Sequence, residues 1–128
     1  MGPPVKPGDV GVKLDWSAAM KDLWKLTAAE ASAALAERSI TSEALVRSCL
    51  ERIALRDPVV KAWSFIDPGM AIRSARELDK QKRRGPLHGV PVGIKDMIDT
   101  LDMPTQHNSP IYTGHRPGQD AACVAVLR

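Results

Sequence analysis

Aromatic residues and long apolar runs are both scarce in this sequence of 128 residues. Phe, Trp and Tyr make up only 4% of the chain, so a core must be built mainly from Ala, Val, Leu and Ile. No stretch approaches the roughly 20 apolar residues that cross a bilayer, and residues 1–25 lack the continuous apolar segment of a signal peptide. We therefore expect one domain that does not associate with membranes and lies in the cytoplasm.

Cysteine and histidine are also few, and neither residue type has a metal-ligand spacing. Cys49 and Cys123 belong to no Cys-x-x-Cys motif and fall in apolar helical patterns, so we expect reduced, buried thiols rather than a disulfide. His88, His107 and His115 are far apart in the sequence. We interpret them as loop or surface residues and expect no cofactor.

Three aspartates follow one another at regular intervals, at positions 96, 99 and 102. The D-x-x-D-x-x-D pattern lacks the glycine and the terminal glutamate of a calcium loop. Roles in turns and capping are therefore favoured over a metal site for Asp96 and Asp99.

Positive charge is modest, with a net charge of +3, and one basic cluster covers residues 80–84. No aromatic residues are interleaved with this cluster, as they would be in a surface that binds single-stranded nucleic acid. A solvated helix end, where basic residues suit the helix dipole, is the favoured interpretation. We expect no nucleic-acid binding.

Local signals predict four helices. Thr27 and Glu30 form a capping box that predicts a helix over residues 28–37. Thr41 is a plausible N-cap for a helix over residues 42–56, which Asp57 and Pro58 should end. Two further helices are predicted: one begins at Asp67 and ends at residues 85–86, and one is capped by Asp120.

The other segments are predicted to be strands, a loop and an arm. Residues 62–66 alternate weakly, and residues 90–94 are almost wholly apolar, which predicts a strand covered on both faces. Residues 96–119 should form a long loop. Residues 1–25 contain Pro3, Pro4 and Pro7 with three glycines, and we expect a flexible N-terminal arm there.

Residues 85–100 carry the most specific pattern, because the apolar run 90–94 ends directly in Lys95. A lysine at the end of a buried strand is costly unless it is paired or neutral, and a neutral lysine is a base. A surface lysine is the alternative. A phosphate loop is disfavoured, because Ile94 separates Gly93 from Lys95 and Asp96 replaces the required hydroxyl residue.

This stretch resembles, almost residue for residue and without a gap, the lysine segment of the amidase signature family. The similarity extends over residues 26–31, 41–46, 103–105 and 120–124, and so covers about residues 26–128. Two departures are mild. Met97 stands where asparagine is common, and Gln106-His107-Asn108-Ser109 replaces a more usual Thr-x-Gly-Ser.

The resemblance implies a fold and a chemistry. The implied fold class is α/β, the N-terminal part of an α/β/α fold around a mixed sheet, incomplete in this chain. The implied machinery is a serine nucleophile, a second serine in a cis peptide, and a lysine, which would be Lys95, with no cofactor. The family's serines lie in a Gly-Gly-Ser-Ser-Gly-Gly-Ser type of segment, which is not found in this sequence.

We therefore expect residues 26–128 to be the N-terminal portion of an amidase domain, truncated before the serine-rich segment and inactive alone. The full-length parent would hydrolyse a small-molecule amide and could form a homodimer. Two alternatives stay open. One is the ammonia-releasing component of glutamyl-tRNA amidotransferase, a member of the same family, which the long arm and the change at residues 106–108 disfavour. The other is a non-catalytic truncated product.

Overall fold

The computed structural model describes residues 22–128, so most of the predicted arm over residues 1–25 lies outside the described part. The described residues form four α-helices and two short 3-10 helices. The α-helices are α1 (Ala28–Ala36), α2 (Ser42–Val60), α3 (Pro68–Lys80) and α4 (Ala122–Leu127), and the 3-10 helices are Leu23–Lys25 and Pro110–Tyr112. None of these helices is long and apolar enough to cross a membrane.

The starts of the first three α-helices confirm the sequence prediction. Thr27 accepts a hydrogen bond from the backbone N–H of Glu30, and the carboxylate of Glu30 accepts one from the N–H of Thr27, which completes the capping box. Thr41 caps α2. Asp67 caps α3, with Pro68 as its first residue. Each start depends on groups within three residues, which is why the sequence was sufficient.

The predicted ends are less accurate. α2 does not stop at Asp57 and Pro58 but continues to Val60. Pro58 lacks a backbone N–H and so cannot donate to the preceding turn, yet the helix continues past it for two residues. The helix ends at Lys61, which adopts a left-handed conformation with φ of 53°. The carboxylate of Asp57 then accepts the N–H of Ala62 at 2.7 Å.

Two other predicted boundaries are wrong. α3 ends at Lys80 rather than at residues 85–86, because Gln81 is already extended. Asp120 does not cap α4, whose N-cap is Ala121. The carboxylate of Asp120 instead accepts the N–H of Leu101 at 2.8 Å, a partner 19 residues away.

The predicted α/β class with a mixed sheet is wrong for the described part of the chain, since residues 22–128 contain helices and no strand. The segments 62–66 and 90–94 lie outside the helices and have no ladder between them. A strand requires backbone groups on a neighbouring strand. Here Val90 donates its N–H to Leu87 within a turn, and Pro91 has no N–H. The two segments meet through the side chain of Trp63 instead.

The core lies between the 3-10 helix Leu23–Lys25, α1 and the first half of α2. Five buried apolar residues form it, namely Leu23, Ala31, Ala34, Ile40 and Leu45. Cys49 is half-buried against this cluster, and burial raises the pKa of its thiol. Cys123 is exposed, contrary to prediction, and both cysteines are free thiols. As the composition predicted, the buried core cluster of residues 22–128 is built from aliphatic side chains and contains no aromatic ring.

Candidate functional site

The segment that leads to Lys95 is fixed to the start of α2. Gly89 adopts a left-handed φ of 86°, and its carbonyl accepts a hydrogen bond from the hydroxyl of Ser42 at 2.7 Å. A Cβ on Gly89 would lie 3.2 Å from Cβ of Ser42. Glycine is therefore required at this turn both by its conformation and by the close approach of α2.

Lys95 lies at the rim of an open cavity of about 580 Å³. The side chain of Lys95 is exposed, which differs from the predicted end of a buried strand. Among residues 22–128, its amine has neither a hydrogen-bond partner nor a salt bridge. The lining residues are Lys61, Ala62, Trp63, Ser64, Phe65, Gly93, Ile94, Lys95, Asp96, Ile98, Thr100, Met103, Pro104 and Asn108.

Two aromatic residues form one wall of this cavity. Trp63 packs against Gly93, where an added Cβ would lie 3.2 Å from the indole ring. Phe65 is the second aromatic residue of the lining, and the guanidinium of Arg116 lies 5.9 Å from the centre of its ring. The sequence reasoning missed this wall. The only available signal was the glycine two residues before Lys95, and that glycine does not reveal which ring approaches it.

Asp96 organises another part of the cavity lining. Its carboxylate accepts the N–H of Gln106 at 2.8 Å and the N–H of Asn108 at 3.2 Å. Its main-chain carbonyl accepts the N–H of His107 at 2.9 Å. His107 and Asn108 are both left-handed, with φ of 53° and 52°. The prediction of a turn-forming role for Asp96 is confirmed, and the turn that it holds brings Asn108 into the cavity lining.

The other acidic residues of this region also have structural roles. The main-chain carbonyl of Asp99 accepts the N–H of Ala121. Arg128 makes 2.7 Å salt bridges to Asp102 and Asp120. The hydrogen bond from the N–H of Leu101 has the largest effect in lowering the pKa of Asp120, and Arg128 lowers it further. Within residues 22–128, no three His, Cys, Asp or Glu side chains are arranged to hold a metal ion.

The histidines lie away from the cavity lining. His88 Nε2 is 3.0 Å from the carbonyl of Leu78, where it connects the turn before Lys95 to α3. His107 and His115 pack edge-on against Tyr112, with ring centres 5.0 and 6.1 Å apart. These contacts agree with the loop or surface roles that the sequence predicted.

The basic cluster 80–84 likewise makes intramolecular contacts. Arg83 donates to the carbonyl of Pro86 at 2.6 Å and to the hydroxyl of Ser32 at 2.7 Å. Lys80 pairs with Glu77 at 2.7 Å. Arg83 therefore holds the start of the 85–100 segment against α1.

Comparisons with known proteins agree with the resemblance noted in the sequence. The family model described as Amidase matches residues 44–128. A component of the glutamyl-tRNA(Gln) amidotransferase of Acidothermus cellulolyticus is 40% identical over 113 residues, which are 85% of this chain and 22% of that protein. AmiD of Mycobacterium tuberculosis, which is named as an amidase, is 39% identical over 108 residues, covering 81% of this chain and 23% of that protein.

The same amidotransferase component from Chloroflexus aggregans is 38% identical over 112 residues, which are 84% of this chain and 23% of the relative. This chain thus spans less than a quarter of the length of these curated relatives. No solved structure matches it.

Proposed function

This chain belongs to the amidase family, and on that premise we propose that Lys95 is the lysine of a Ser-cisSer-Lys amide hydrolase. The observation that carries the proposal is the position of Lys95. Lys95 is exposed and lines an open cavity of about 580 Å³, and its amine has no hydrogen-bond or salt-bridge partner among residues 22–128. A hydroxyl entering the cavity could therefore reach the amine without displacing an existing contact.

The proposed reaction forms and then cleaves an acyl-enzyme. Neutral Lys95 accepts a proton from the cis-peptide serine, which in turn takes the proton of the nucleophilic serine. That serine attacks the amide carbonyl, and the C–N bond breaks as ammonia or an amine leaves with a proton. Water then hydrolyses the ester to release the acid. Backbone N–H groups of the serine-rich segment would stabilise the oxyanion.

Both serines and the oxyanion donors are proposed to lie outside these 128 residues, because this sequence has no Gly-Gly-Ser-Ser-Gly-Gly-Ser run. We therefore propose that residues 26–128 supply the N-terminal portion of the amidase domain and show no turnover by themselves. Lys95 is exposed among residues 22–128, whereas it is burial that favours the neutral form of an amine. The proposed chemistry thus also requires that further protein or a bound substrate closes the cavity over Lys95. We propose a cytoplasmic location for the whole protein.

A second candidate is an ammonia-releasing glutaminase that serves a partner protein. Two of the relatives described above are named as components of glutamyl-tRNA(Gln) amidotransferase, which favours this alternative. The departure at residues 106–108 favours a stand-alone amidase. Ammonia release from glutamine, together with partner proteins in a pull-down of the full-length product, would select the transferase. Release from simple amides without partners would select the amidase.

The test compares two lysines of the same cavity in the full-length gene product that contains this chain. Lys95→Met removes the proposed base, whereas Lys61→Met removes another lysine of the lining. With ammonia release from a panel of primary amides and glutamine as the assay, we expect Lys95→Met to lose about 10²–10⁴-fold in kcat, as for removal of a general base. Lys61→Met should remain within a few-fold of wild type. Full turnover by Lys95→Met would overturn the proposal.

A further inference from the structure

We propose that Asn108 is a specificity-determining residue that hydrogen-bonds the amide group of the substrate, and that Asp96 is the positioning residue that holds it there. This inference rests on the proposed function and deepens it. It concerns the part of the cavity lining that Asp96 and Asn108 form, where the sequence departs from the more usual Thr-x-Gly-Ser.

The position of Asn108 is determined by three hydrogen bonds to one residue. Both carboxylate oxygens and the main-chain carbonyl of Asp96 accept N–H groups of three successive residues, Gln106, His107 and Asn108. The N–H of Gly114 also donates a hydrogen bond to the side-chain oxygen of Gln106 at 2.7 Å. Bonds from N–H groups to a carboxylate are stronger than neutral ones, so Asp96 is the principal support of this turn.

The turn also has a conformation that needs such support. Two consecutive non-glycine residues, His107 and Asn108, have a left-handed φ. This conformation is unfavourable for residues with a Cβ, although Asn and His tolerate it better than most. Residues in this conformation persist where the surrounding contacts hold them in place, and they are found most often at active and ligand-binding sites. A glycine at position 108 would adopt the turn more easily, but it would bring no polar group to the cavity.

The side chain of Asn108 has the chemistry that an amide substrate requires. A carboxamide offers one acceptor oxygen and two donor hydrogens, which complement the N–H and C=O of a substrate amide. Asn108 lines the same cavity as Lys95. Within residues 22–128, the carboxamide has no hydrogen-bond partner. It is therefore available to distinguish an amide, which has N–H donors, from an ester, which has none.

The first experiment separates the side chain from the turn, using the full-length gene product. Asn108→Gly removes the carboxamide and favours the observed φ, and His107→Gly is the matched control, because His107 is outside the cavity lining. The assay measures kcat and KM for a primary amide and for the methyl ester of the same acid. We expect Asn108→Gly to lower kcat/KM for the amide about 2- to 10-fold more than for the ester, because the ester lacks only the N–H and so loses one hydrogen bond fewer. His107→Gly should keep the wild-type ratio of amide to ester activity.

The second experiment tests the support from Asp96. Asp96→Asn keeps one acceptor oxygen and loses the other. Asp99→Asn is the matched control, because it makes the same charge change at a residue whose side chain makes no hydrogen bond within residues 22–128. We expect Asp96→Asn to reduce the amide-to-ester ratio as Asn108→Gly does. It should also speed backbone hydrogen exchange in the peptide covering residues 105–109 by at least several-fold. Asp99→Asn should change neither quantity.

The outcomes distinguish this inference from the proposed function. An unchanged amide-to-ester ratio in Asn108→Gly, with wild-type turnover dependent on Lys95, overturns the recognition role alone. Equal exchange in the Asp96→Asn and Asp99→Asn variants overturns the positioning role. Absence of hydrolysis of both substrates by the wild type overturns the proposed function and the recognition role with it.

Discussion

Glu43, in the first turn of α2, is paired with two arginines. Arg47 and Arg76 donate to its carboxylate at 2.8 Å through their Nε atoms, and together they lower its pKa to about 2, Arg76 having the larger effect. The carboxylate has a higher pKa in the unfolded chain, near its usual 4.5. The pairs therefore stabilise the fold above about pH 4.5, and this stabilisation is lost as the pH falls toward 2.

We expect Glu43→Gln to lower the Tm at pH 6 by more than it does at pH 2.5, because at the lower pH the pairs are already weakened in the wild type. Thermal unfolding followed by circular dichroism at the two pH values measures the difference. Glu51→Gln is the control, since Glu51 is exposed on the same helix and pairs with no residue among 22–128. Equal losses for Glu43→Gln at both pH values would contradict the assignment.

Gly89 gives a second prediction at the scale of one residue. Alanine at this position combines a left-handed φ of 86° with a contact of 3.2 Å to Ser42. We expect Gly89→Ala to lower the free energy of unfolding by about 1–3 kcal/mol, as measured by urea denaturation. Gly85→Ala, in the same segment, has no atom within 4 Å of the added methyl group and should be close to neutral. Similar losses in both variants would show that Gly89 has no special role.

At the scale of elements, α3 caps the start of α2. Asp79 on α3 accepts the N–H groups of Ser42 at 2.7 Å and Glu43 at 3.0 Å. These are N-terminal donors of α2, which have no partner within their own helix. Asp79 therefore acts together with Thr41, the local cap, and it connects two helices whose pairing determines the position of the turn at Gly89.

We expect Asp79→Ala to lower the free energy of unfolding by about 1 kcal/mol, a typical cost of losing a cap. Glu77→Ala is the matched control on the same helix, because its pair with Lys80 is exposed and exposed pairs contribute little. Urea denaturation of both variants tests this. A loss in Glu77→Ala as large as in Asp79→Ala would indicate a general effect of charge on α3 instead.

The elements also show which features the sequence could predict. Thr27, Thr41 and Asp67 identified three helix starts, because each cap acts on groups within three residues. The strands at residues 62–66 and 90–94 were predicted wrongly. A strand is defined by a partner far along the chain, and apolar character alone does not supply one.

The candidate site was predictable in part for the same reason. The pattern around Lys95 is local, and its resemblance to a known family identified the segment. The contact of Trp63 with Gly93 spans 30 positions, and the bonds from Gln106 and Asn108 to Asp96 span 10 and 12. No periodicity or spacing in the sequence encodes such contacts. Local sequence patterns also could not predict that Lys95 is exposed.

At the scale of the molecule, the described part of the chain has a small core and much exposed apolar surface. Eight hydrophobic residues among 22–128 are buried. In contrast, the end of α2 leaves Leu55 71% and Val59 83% exposed, and α4 leaves Val126 87% exposed. Apolar surface of this kind favours association with other surfaces.

We therefore expect the purified 128-residue chain to be weakly stable and to self-associate as its concentration rises, as measured by sedimentation velocity over a dilution series. The double variant Val59→Glu with Val126→Glu should reduce this association. Ala54→Glu, at an exposed position of α2 with little apolar area, should reduce it less. A monomer at all concentrations with a sharp, cooperative thermal transition would contradict the expectation.

The contact between Trp63 and Gly93 has a consequence for the size of the acyl group that the proposed hydrolysis would accept. An added methyl group on residue 93 would lie 3.2 Å from the indole, closer than an ordinary contact, so the ring would have to shift. Residue 93 lies two positions before Lys95, and both line the cavity together with Trp63. A methyl group there would thus alter the shape of the cavity, and with it the range of acyl groups admitted under the proposed function, while every proposed reacting group stayed the same.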